Sequence, residues 1–267
     1  MSQRTHFTLF ALLATFLAVS TVEAAELLAK PSVEAARLST YEHANGDTFF
    51  ALSLTPRPTQ VVAEGRDVLV MFDTSASQAG QFRTDALATL DSMLQNLDSG
   101  DRVKLVAVDL RSIPLTDGFV TPTGDAMLAA VDKLNQRAPL GSTDMGVVMT
   151  AAADGFADSG ERQRSSIYIG DGESNANVMP ADEFGDYISR LVAERVSMNS
   201  FVIGPRRNVE LMAAVANQTG GVVTVDGSET SAQQFGADLA RTVSATVIWP
   251  QTVQLPVSFQ EVYPKTV

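Results

Sequence analysis

The sequence has 267 residues, of which 45% are hydrophobic and 19% are charged, and its formal net charge is -12. This length and composition indicate a globular chain of one or two domains, and they exclude a disordered one. The acidic balance argues against nucleic acids and anionic membranes as partners, because phosphate groups repel a negative surface. Cysteine is absent, which excludes disulfides and thiolate metal ligands and favours a bacterial envelope protein over a secreted eukaryotic domain.

Residues 1–24 have the parts of a secretory signal peptide. A positively charged start precedes an apolar run from Phe7 to Ser20, and Val22-Glu23-Ala24 supplies the small-x-small pattern that signal peptidase accepts. The run is shorter than the ~20 residues that span a bilayer, so cleavage is predicted after Ala24 or Ala25. No later segment of the sequence is apolar for long enough to span. We therefore expect a secreted or periplasmic protein of the cell envelope, without a transmembrane span in the mature chain.

Residues 25–66 are predicted to form an N-terminal extension. Within it, Thr48–Leu54 favours a strand, which the following Thr55-Pro56-Arg57-Pro58 ends. We expect this strand to pair with the edge of a sheet.

From Asp67 onward, strands alternate with amphipathic helices. Val68–Phe72 is a continuous apolar run, as expected for a strand that is covered on both faces. The later predicted strands are Val103–Val108, an edge strand within Ser112–Val120, Ser166–Ile169, Ser200–Ile203 and Val222–Val225. The predicted helices are Phe82–Leu97, Gly124–Gln136, Thr143–Phe156, Ala181–Val196, Val209–Gln218 and Ala232–Ala245.

This alternation predicts an α/β domain over residues 67–245, with a Rossmann-like, doubly wound and mainly parallel sheet flanked by helices. Such sheets bind ligands outside the carboxyl ends of their strands. The candidate site is therefore expected in the loops after Phe72 and Ile169. Residues 246–267 differ, because their apolar residues alternate with polar residues or proline, which predicts a β-type tail that could begin a further domain.

Three loops at this edge carry side chains with oxygen atoms. Asp73, Ser75 and Ser77 follow the first core strand at two-residue spacing, Thr143 stands at a helix start, and Asp171 follows a later strand. Taken singly, each has an ordinary explanation, because Ser and Thr are common helix caps and Asp beside Gly is common in turns. Taken together, the carboxylates and hydroxyls are the hard oxygen donors that suit Mg²⁺.

The three loops resemble the von Willebrand factor A domain. The metal-ion-dependent adhesion site of that family consists of D-x-S-x-S, a later Thr in a G-x-T context and an Asp that opens a D-G turn. All five positions match, in family order and on the expected elements: Asp73, Ser75, Ser77, Thr143 and Asp171. The resemblance covers about residues 67–245.

The resemblance implies a bound divalent cation, Mg²⁺ first, with Mn²⁺ or Ca²⁺ as alternatives. Ser75, Ser77 and Thr143 would present hydroxyls to the ion, and Asp73 and Asp171 would act mostly through waters and by fixing those hydroxyls. With few carboxylates bound directly, the ion stays electrophilic, and an open position accepts an Asp or Glu carboxylate from a protein partner. The implied function is metal-dependent protein binding or adhesion without catalysis. The sequence does not determine the oligomeric state.

Other charged residues near this site have plainer interpretations. Asp144 and Glu173 are expected to be solvated loop charges, with a role in tuning the metal as the alternative. His43 is the one histidine of the mature chain, and its position in the N-terminal extension favours a surface residue over a catalytic base.

Two other functions stay open at this point. A Mg²⁺-dependent envelope phosphatase would use Asp73 as its nucleophile, but it needs a second Asp two residues later as general acid, where this sequence has Ser75. The second alternative is a purely structural module that has the fold and the ion but binds no carboxylate.

Overall fold

The computed structural model describes residues 36–55, 65–249 and 261–262. The predicted signal peptide and most of the predicted tail lie outside the described residues. The chain divides into two compact units, one up to Gln60 and one from Val61. None of the helices in the described part of the chain has the length and apolar character needed to cross a bilayer.

The described part of the first unit is an antiparallel hairpin of β1 (Ala36–Glu42) and β2 (Thr48–Leu54). The strand predicted at Thr48–Leu54 is present. Its hydrogen-bonded partner is β1, in a two-stranded sheet, rather than the edge of a larger sheet. No strand is predicted at the residues of β1, so the sequence does not predict this pairing.

The second unit is built on a central sheet, which has six strands within the described residues. The strands are β3 (Arg66–Asp73), β4 (Arg102–Val108), β5 (Ser112–Pro114), β6 (Gln163–Gly170), β7 (Val196–Val202) and β8 (Val223–Val225). Their spatial order is β5-β4-β3-β6-β7-β8. Neighbours are parallel except for β5, which runs antiparallel to β4 at one edge.

Helices connect the parallel strands and cover both faces of the sheet. Those of the described residues are α1 (Gln81–Asn96), α2 (Asp125–Gln136), α3 (Met145–Asp154), α4 (Ala181–Ala193), α5 (Val209–Thr219) and α6 (Ala232–Val243). α5 ends as the sequence predicts, because Gly220 takes the left-handed conformation, with φ 67°, and its N–H bonds to the carbonyl of Ala216.

Successive residues of β3 face opposite helix layers, since side chains alternate along a strand. Val70 and Phe72 pack in the core that includes residues of α1, α2 and α6. Leu69 and Met71 pack in the core formed with α3, α4 and α5. Both faces of the strand are therefore buried. The predicted α/β fold, with a mainly parallel sheet flanked by helices, is confirmed.

Several predicted element boundaries were wrong, among them those of the edge strand and of one helix. The edge strand expected within Ser112–Val120 is only three residues long as β5, and Val120 forms no more than an isolated bridge to Val103. The helix predicted to reach Val196 ends at Ala193. Arg195 has a positive φ of 53°, a left-handed conformation that ends the helix, and Val196 already opens β7.

The amino end of β3 is fixed by a buried carboxylate. Asp67 is fully buried and accepts two hydrogen bonds from Arg102, at 2.8 and 2.7 Å, and one from Arg162, at 2.7 Å. Burial by itself raises the pKa of Asp67, but the hydrogen bonds to its carboxylate and the charge of Arg102 outweigh it, and the pKa is lowered from its ordinary value. This ion cluster joins three segments at the end of the sheet opposite to the candidate site.

Candidate metal centre

Asp73 lies at the centre of the candidate site. It is the last residue of β3, and its side chain is fully buried. One carboxylate oxygen accepts hydrogen bonds from the backbone N–H of Ser75, at 2.8 Å, and from the hydroxyl of Thr143, at 2.8 Å. The hydroxyls of Ser75 and Ser77 are 2.9 Å apart. Four of the five predicted residues are thus brought together around one carboxylate.

Backbone hydrogen bonds hold the first two loops side by side. The N–H of Leu140 donates to the carbonyl of Thr74 at 3.0 Å, and the N–H of Ala76 donates to the carbonyl of Gly141 at 3.0 Å. Thr143 is therefore positioned by a short ladder against the D-x-S-x-S loop, and its hydroxyl is free to face Asp73.

The N-cap of α3 is not Thr143, although a helix cap was the ordinary explanation of this residue. Asp144, not Thr143, caps the helix, by accepting a 2.8 Å hydrogen bond from the N–H of Gly146. The Thr143 hydroxyl instead bonds to both oxygens of Asp73, at 2.8 and 2.9 Å. Asp144 thus has a structural role at the helix start, and its prediction as a solvated charge stays a prediction.

Asp171 lies in the third loop, and Tyr168 connects this loop to Asp73. It is 2% exposed, and its carboxylate accepts the N–H of Glu173 at 3.0 Å. The buried Tyr168 hydroxyl donates to Asp73 at 2.6 Å and accepts the N–H of Gly172, beside Asp171, at 3.3 Å. Tyr168 is not among the residues predicted from the sequence. Its signal was a lone tyrosine within a buried strand, where the hydroxyl must find a partner.

Two glycines leave the space that the carboxylates occupy. A Cβ added to Gly170 would lie 2.5 Å from the Asp73 Cβ and 2.5 Å from the Tyr168 hydroxyl oxygen. A Cβ on Gly204, where φ is 148°, would lie 2.7 Å from the Asp171 Cβ. Any side chain at either position would displace a carboxylate of the site, and sequence analysis gave neither glycine this role.

Further polar side chains tie the first loop to its neighbours. The Thr74 hydroxyl donates to Asp109 at 3.1 Å and accepts from the guanidinium of Arg137 at 3.0 Å, and Arg137 and Asp109 form an ion pair of 2.5 Å. On the other side, buried Gln78 donates to the carbonyl of Ile203 at 3.0 Å. The first loop is therefore tied to the residues after β4 and α2 on one side and to the residue after β7 on the other.

The electrostatics of the site favour a cation. Burial raises the pKa of the Asp73 carboxyl, and the negative charge of Asp171 raises it further, whereas hydrogen bonds from Tyr168 and Ser75 act in the opposite direction. Burial also raises the pKa of Tyr168 well above its ordinary value, so its hydroxyl keeps the proton that it donates. Two carboxylates that are buried close together are relieved by a positive ion between or beside them.

The donors fit a hard divalent cation that is held mainly by hydroxyls and water. Among the described residues, no group of three or more His, Asp or Glu side chains could hold a metal ion. The site instead combines two carboxylates with three hydroxyls, all oxygen donors of the kind that Mg²⁺, Mn²⁺ and Ca²⁺ accept. At the position where a phosphatase needs its general acid, Ser75 forms a hydrogen bond to another hydroxyl.

The sequence itself identifies the family. Residues 66–225 match the family described as von Willebrand factor type A domain. The chain belongs to this family. Domains of the family often mediate metal-dependent protein interactions, and they are generally adhesion or interaction modules rather than enzymes. Comparison with curated proteins gives no significant match.

The von Willebrand factor A fold of this chain is similar to solved structures of low identity. A von Willebrand factor type A protein from Catenulispora acidiphila is 13% identical, with a TM-score of 0.60, over 77% of this chain and only 45% of that chain. An aerotolerance-related membrane protein from Bacteroides fragilis is 13% identical, with a TM-score of 0.53, over 67% of this chain and 97% of that one. Proximal thread matrix protein 1 from the mussel byssus, with zinc in its metal-ion-dependent adhesion site, is 17% identical, with a TM-score of 0.52, over 67% of this chain and 46% of that one. Identities this low establish the fold alone.

Proposed function

We propose that this chain is an exported, metal-dependent protein-binding module. Asp73, Ser75, Ser77, Thr143 and Asp171 make up a complete metal-ion-dependent adhesion site that binds Mg²⁺, with Mn²⁺ or Ca²⁺ as alternatives. The observation that carries the proposal is the buried Asp73 carboxylate, which accepts hydrogen bonds from the Ser75 backbone N–H and from the Thr143 hydroxyl, in separate loops at the carboxyl edge of the sheet.

The division of labour among the five residues follows from their hydrogen bonds. Asp73 accepts from Ser75 and Thr143, so it fixes the loop and the hydroxyl that face the ion. Asp171 supplies the second negative charge. A bound Mg²⁺ supplies an electrophilic position for an Asp or Glu carboxylate of a protein partner.

Exposed apolar residues on the loops around the site support a protein partner. Leu110 is 55% exposed in the loop after β4, Leu140 is 70% exposed before Thr143, and Val178 is 86% exposed in the loop after β6. Single exposed apolar residues need no explanation. Three on separate loops at one edge of a sheet give a surface that a protein partner can cover.

A binding assay tests the proposal. The purified chain is immobilised and exposed to an envelope extract in MgCl₂, and bound protein is eluted with EDTA. We expect one or a few proteins to elute with EDTA from the parent chain and none from Asp73→Ala. Equal capture by both chains, or elution that does not depend on the metal, would contradict the metal-dependent function.

Export is tested separately. Residues 1–24 have the charge and apolar pattern of a signal peptide, so mass spectrometry of the protein from its native host should give an amino terminus at Ala25 or Glu26. Intact Met1 in a cytosolic fraction would be incompatible with export.

A further inference from the structure

A groove adjoins the candidate metal centre. It runs between α3 and α4 with a volume of about 390 Å³. Asp144, which directly follows Thr143, and Asn177, in the loop that begins at Asp171, both line it. A ligand bound at the metal centre therefore has the groove within reach of its neighbouring residues.

The walls of the groove are negatively charged. Asp144, Asp154 and Glu183 line it, and no lysine or arginine of the described residues does. Asp154 pairs with Arg190 at 2.5 Å. Within the described residues, no ion pair involves Asp144 or Glu183, whose side chains accept hydrogen bonds from neutral donors only. Two carboxylates in the groove thus lack a cationic partner among the residues that the structure describes.

Carboxylate oxygens of the groove lie near the hydroxyl of Tyr187. This hydroxyl donates to Glu183 at 2.9 Å. A Cβ on Gly146 would lie 3.0 Å from the same hydroxyl oxygen and 3.1 Å from a carboxylate oxygen of Asp144. Gly146 therefore keeps open the space between these oxygens, although a glycine in a helix costs stability relative to alanine.

The side chains that line the groove favour a long basic side chain over a metal ion. The carboxylates do not converge into a group of three that could hold a metal ion, in the part of the chain that the structure describes. The lining also includes Val147 and Ala151, apolar surface on which the methylene stem of a long basic side chain can pack. An ammonium or guanidinium group at the end of such a stem meets carboxylates and a phenol oxygen.

We propose that the groove between α3 and α4 binds a lysine or arginine side chain of the same protein partner whose carboxylate binds at the metal centre. This inference rests on the proposed function. The recognised motif is then an acidic residue with a basic residue at a fixed distance from it. The metal centre provides the carboxylate contact, and the groove provides the selectivity among acidic partners.

A random heptapeptide library displayed on phage tests this inference. The library is selected on the immobilised chain in MgCl₂, and bound phage are eluted with EDTA. We expect the eluted pool to be enriched in Asp or Glu and, at one preferred spacing, in Lys or Arg. The most enriched sequence is then synthesised together with a version in which the basic residue is glutamine.

Affinities of the two peptides for matched variants locate the contact. For the parent chain, the change of the basic residue to glutamine should weaken binding about fivefold, as for a partly exposed ion pair. The change should have less than about a twofold effect on Glu183→Gln or Asp144→Asn, because the charge partner is gone. Both variants should fold, because the new amide oxygen can still accept from the Tyr187 hydroxyl in the first and still cap α3 in the second. Asp186→Asn, which removes an exposed charge of α4 outside the groove, should behave like the parent.

The outcomes separate the two proposals. An EDTA-eluted pool rich in acidic residues but without basic enrichment overturns the groove assignment and leaves the proposed function standing. Basic enrichment that is insensitive to Glu183→Gln and Asp144→Asn also overturns it. A selection without metal-dependent binders counts against the proposed function and the groove together.

Discussion

At the scale of single residues, Asp73 connects three parts of the chain. Its carboxylate is buried and accepts hydrogen bonds from Ser75, Thr143 and Tyr168. A buried carboxylate of this kind is costly unless its oxygens are satisfied. Here the hydrogen bonds satisfy it and at the same time orient the hydroxyls that would face a cation.

The first prediction compares Asp73 with Thr143. Asp73→Ala removes the acceptor that fixes both the first loop and the Thr143 hydroxyl, and we expect Mg²⁺ affinity to fall by about a hundredfold or more. Thr143→Ala removes one hydroxyl and leaves the loop ladder intact, so a loss of about tenfold is expected. Titration calorimetry with MgCl₂ measures both, and circular dichroism should show parent-like folds.

Ser189→Ala, on the exposed face of α4, is the control for this comparison and should take up Mg²⁺ like the parent. If Asp73→Ala binds the ion as well as the parent does, the five residues are ordinary caps and turns.

The second prediction concerns Tyr168 and pH. The Tyr168 hydroxyl lowers the pKa of Asp73 against the effect of burial, so Tyr168→Phe should raise that pKa. Protons then compete with the metal at a higher pH, and the midpoint of Mg²⁺ uptake on acidification should move upward. Calorimetric titrations of the parent and Tyr168→Phe at several pH values measure the shift. An affinity loss of equal size at every pH would indicate that the hydroxyl positions Asp73 without changing its pKa.

At the scale of elements, the site depends on how β6 ends. Met71 of β3 lies opposite Tyr168 of β6, so Asp73 and Gly170 follow in neighbouring positions on the same face of the sheet. The strand pair brings the two backbones so close that only glycine leaves room for the Asp73 side chain. The metal centre is thus partly a product of strand register.

The third prediction uses two glycines as a matched pair. Gly170→Ala should lower the free energy of unfolding by about 1–3 kcal/mol through overpacking and should weaken Mg²⁺ uptake. Gly185→Ala, inside α4 with no atom beyond the adjoining helix backbone within 4 Å of the added Cβ, should raise the free energy of unfolding by up to about 1 kcal/mol. Urea denaturation measures both. Equal stability of Gly170→Ala and the parent would contradict the close approach described here.

At the scale of the whole molecule, β3 begins and ends near buried aspartates with different surroundings. Asp67 is neutralised by Arg102 and Arg162 at the amino end of the sheet. Asp73, at the carboxyl end, receives hydrogen bonds from uncharged donors only. The first arrangement satisfies a charge within the fold, and the second leaves a charge for a ligand to neutralise.

The fourth prediction is that Asp67 contributes to stability without affecting Mg²⁺ affinity at the other end of β3. Asp67→Asn leaves two partly exposed arginines without their carboxylate, and we expect a loss of about 2–3 kcal/mol in the free energy of unfolding with unchanged Mg²⁺ affinity per folded molecule. Thermal unfolding and calorimetry, run on the same preparation, measure the two effects. A change in Mg²⁺ affinity as large as that of Thr143→Ala would show that the ends are coupled.

The pKa of Asp67 is shifted in the opposite direction to that of Asp73. Because the folded-state pKa of Asp67 is lowered, its contribution to stability is complete above the unfolded value of about 3.9 and disappears as the pH falls through the folded value. The parent should therefore lose stability below about pH 4 more steeply than Asp67→Asn. Denaturant titrations at a series of acidic pH values measure the difference, and parallel curves would contradict it.

The sequence by itself determined the layered α/β architecture and proposed the residues of the site. Val68–Phe72 is uniformly apolar because both of its faces meet helices, and that requirement is visible along the chain. The spacing of Asp73, Ser75 and Ser77 is likewise local, since a single loop follows a single strand. Residues 1–24 and most of 246–267 lie outside the described part of the chain, and their predicted roles stay predictions.

Only the tertiary structure determined what surrounds those residues. Tyr168, Gly170 and Gly204 matter through contacts with residues that are far away in the sequence, and no local pattern specifies such contacts. The groove between α3 and α4 has the same origin, since Asp144 and Glu183 share it only after both helices pack on one face of the sheet. Local periodicity records which side of an element is buried, whereas the partner across a contact depends on strand register and helix packing, which the whole chain determines together.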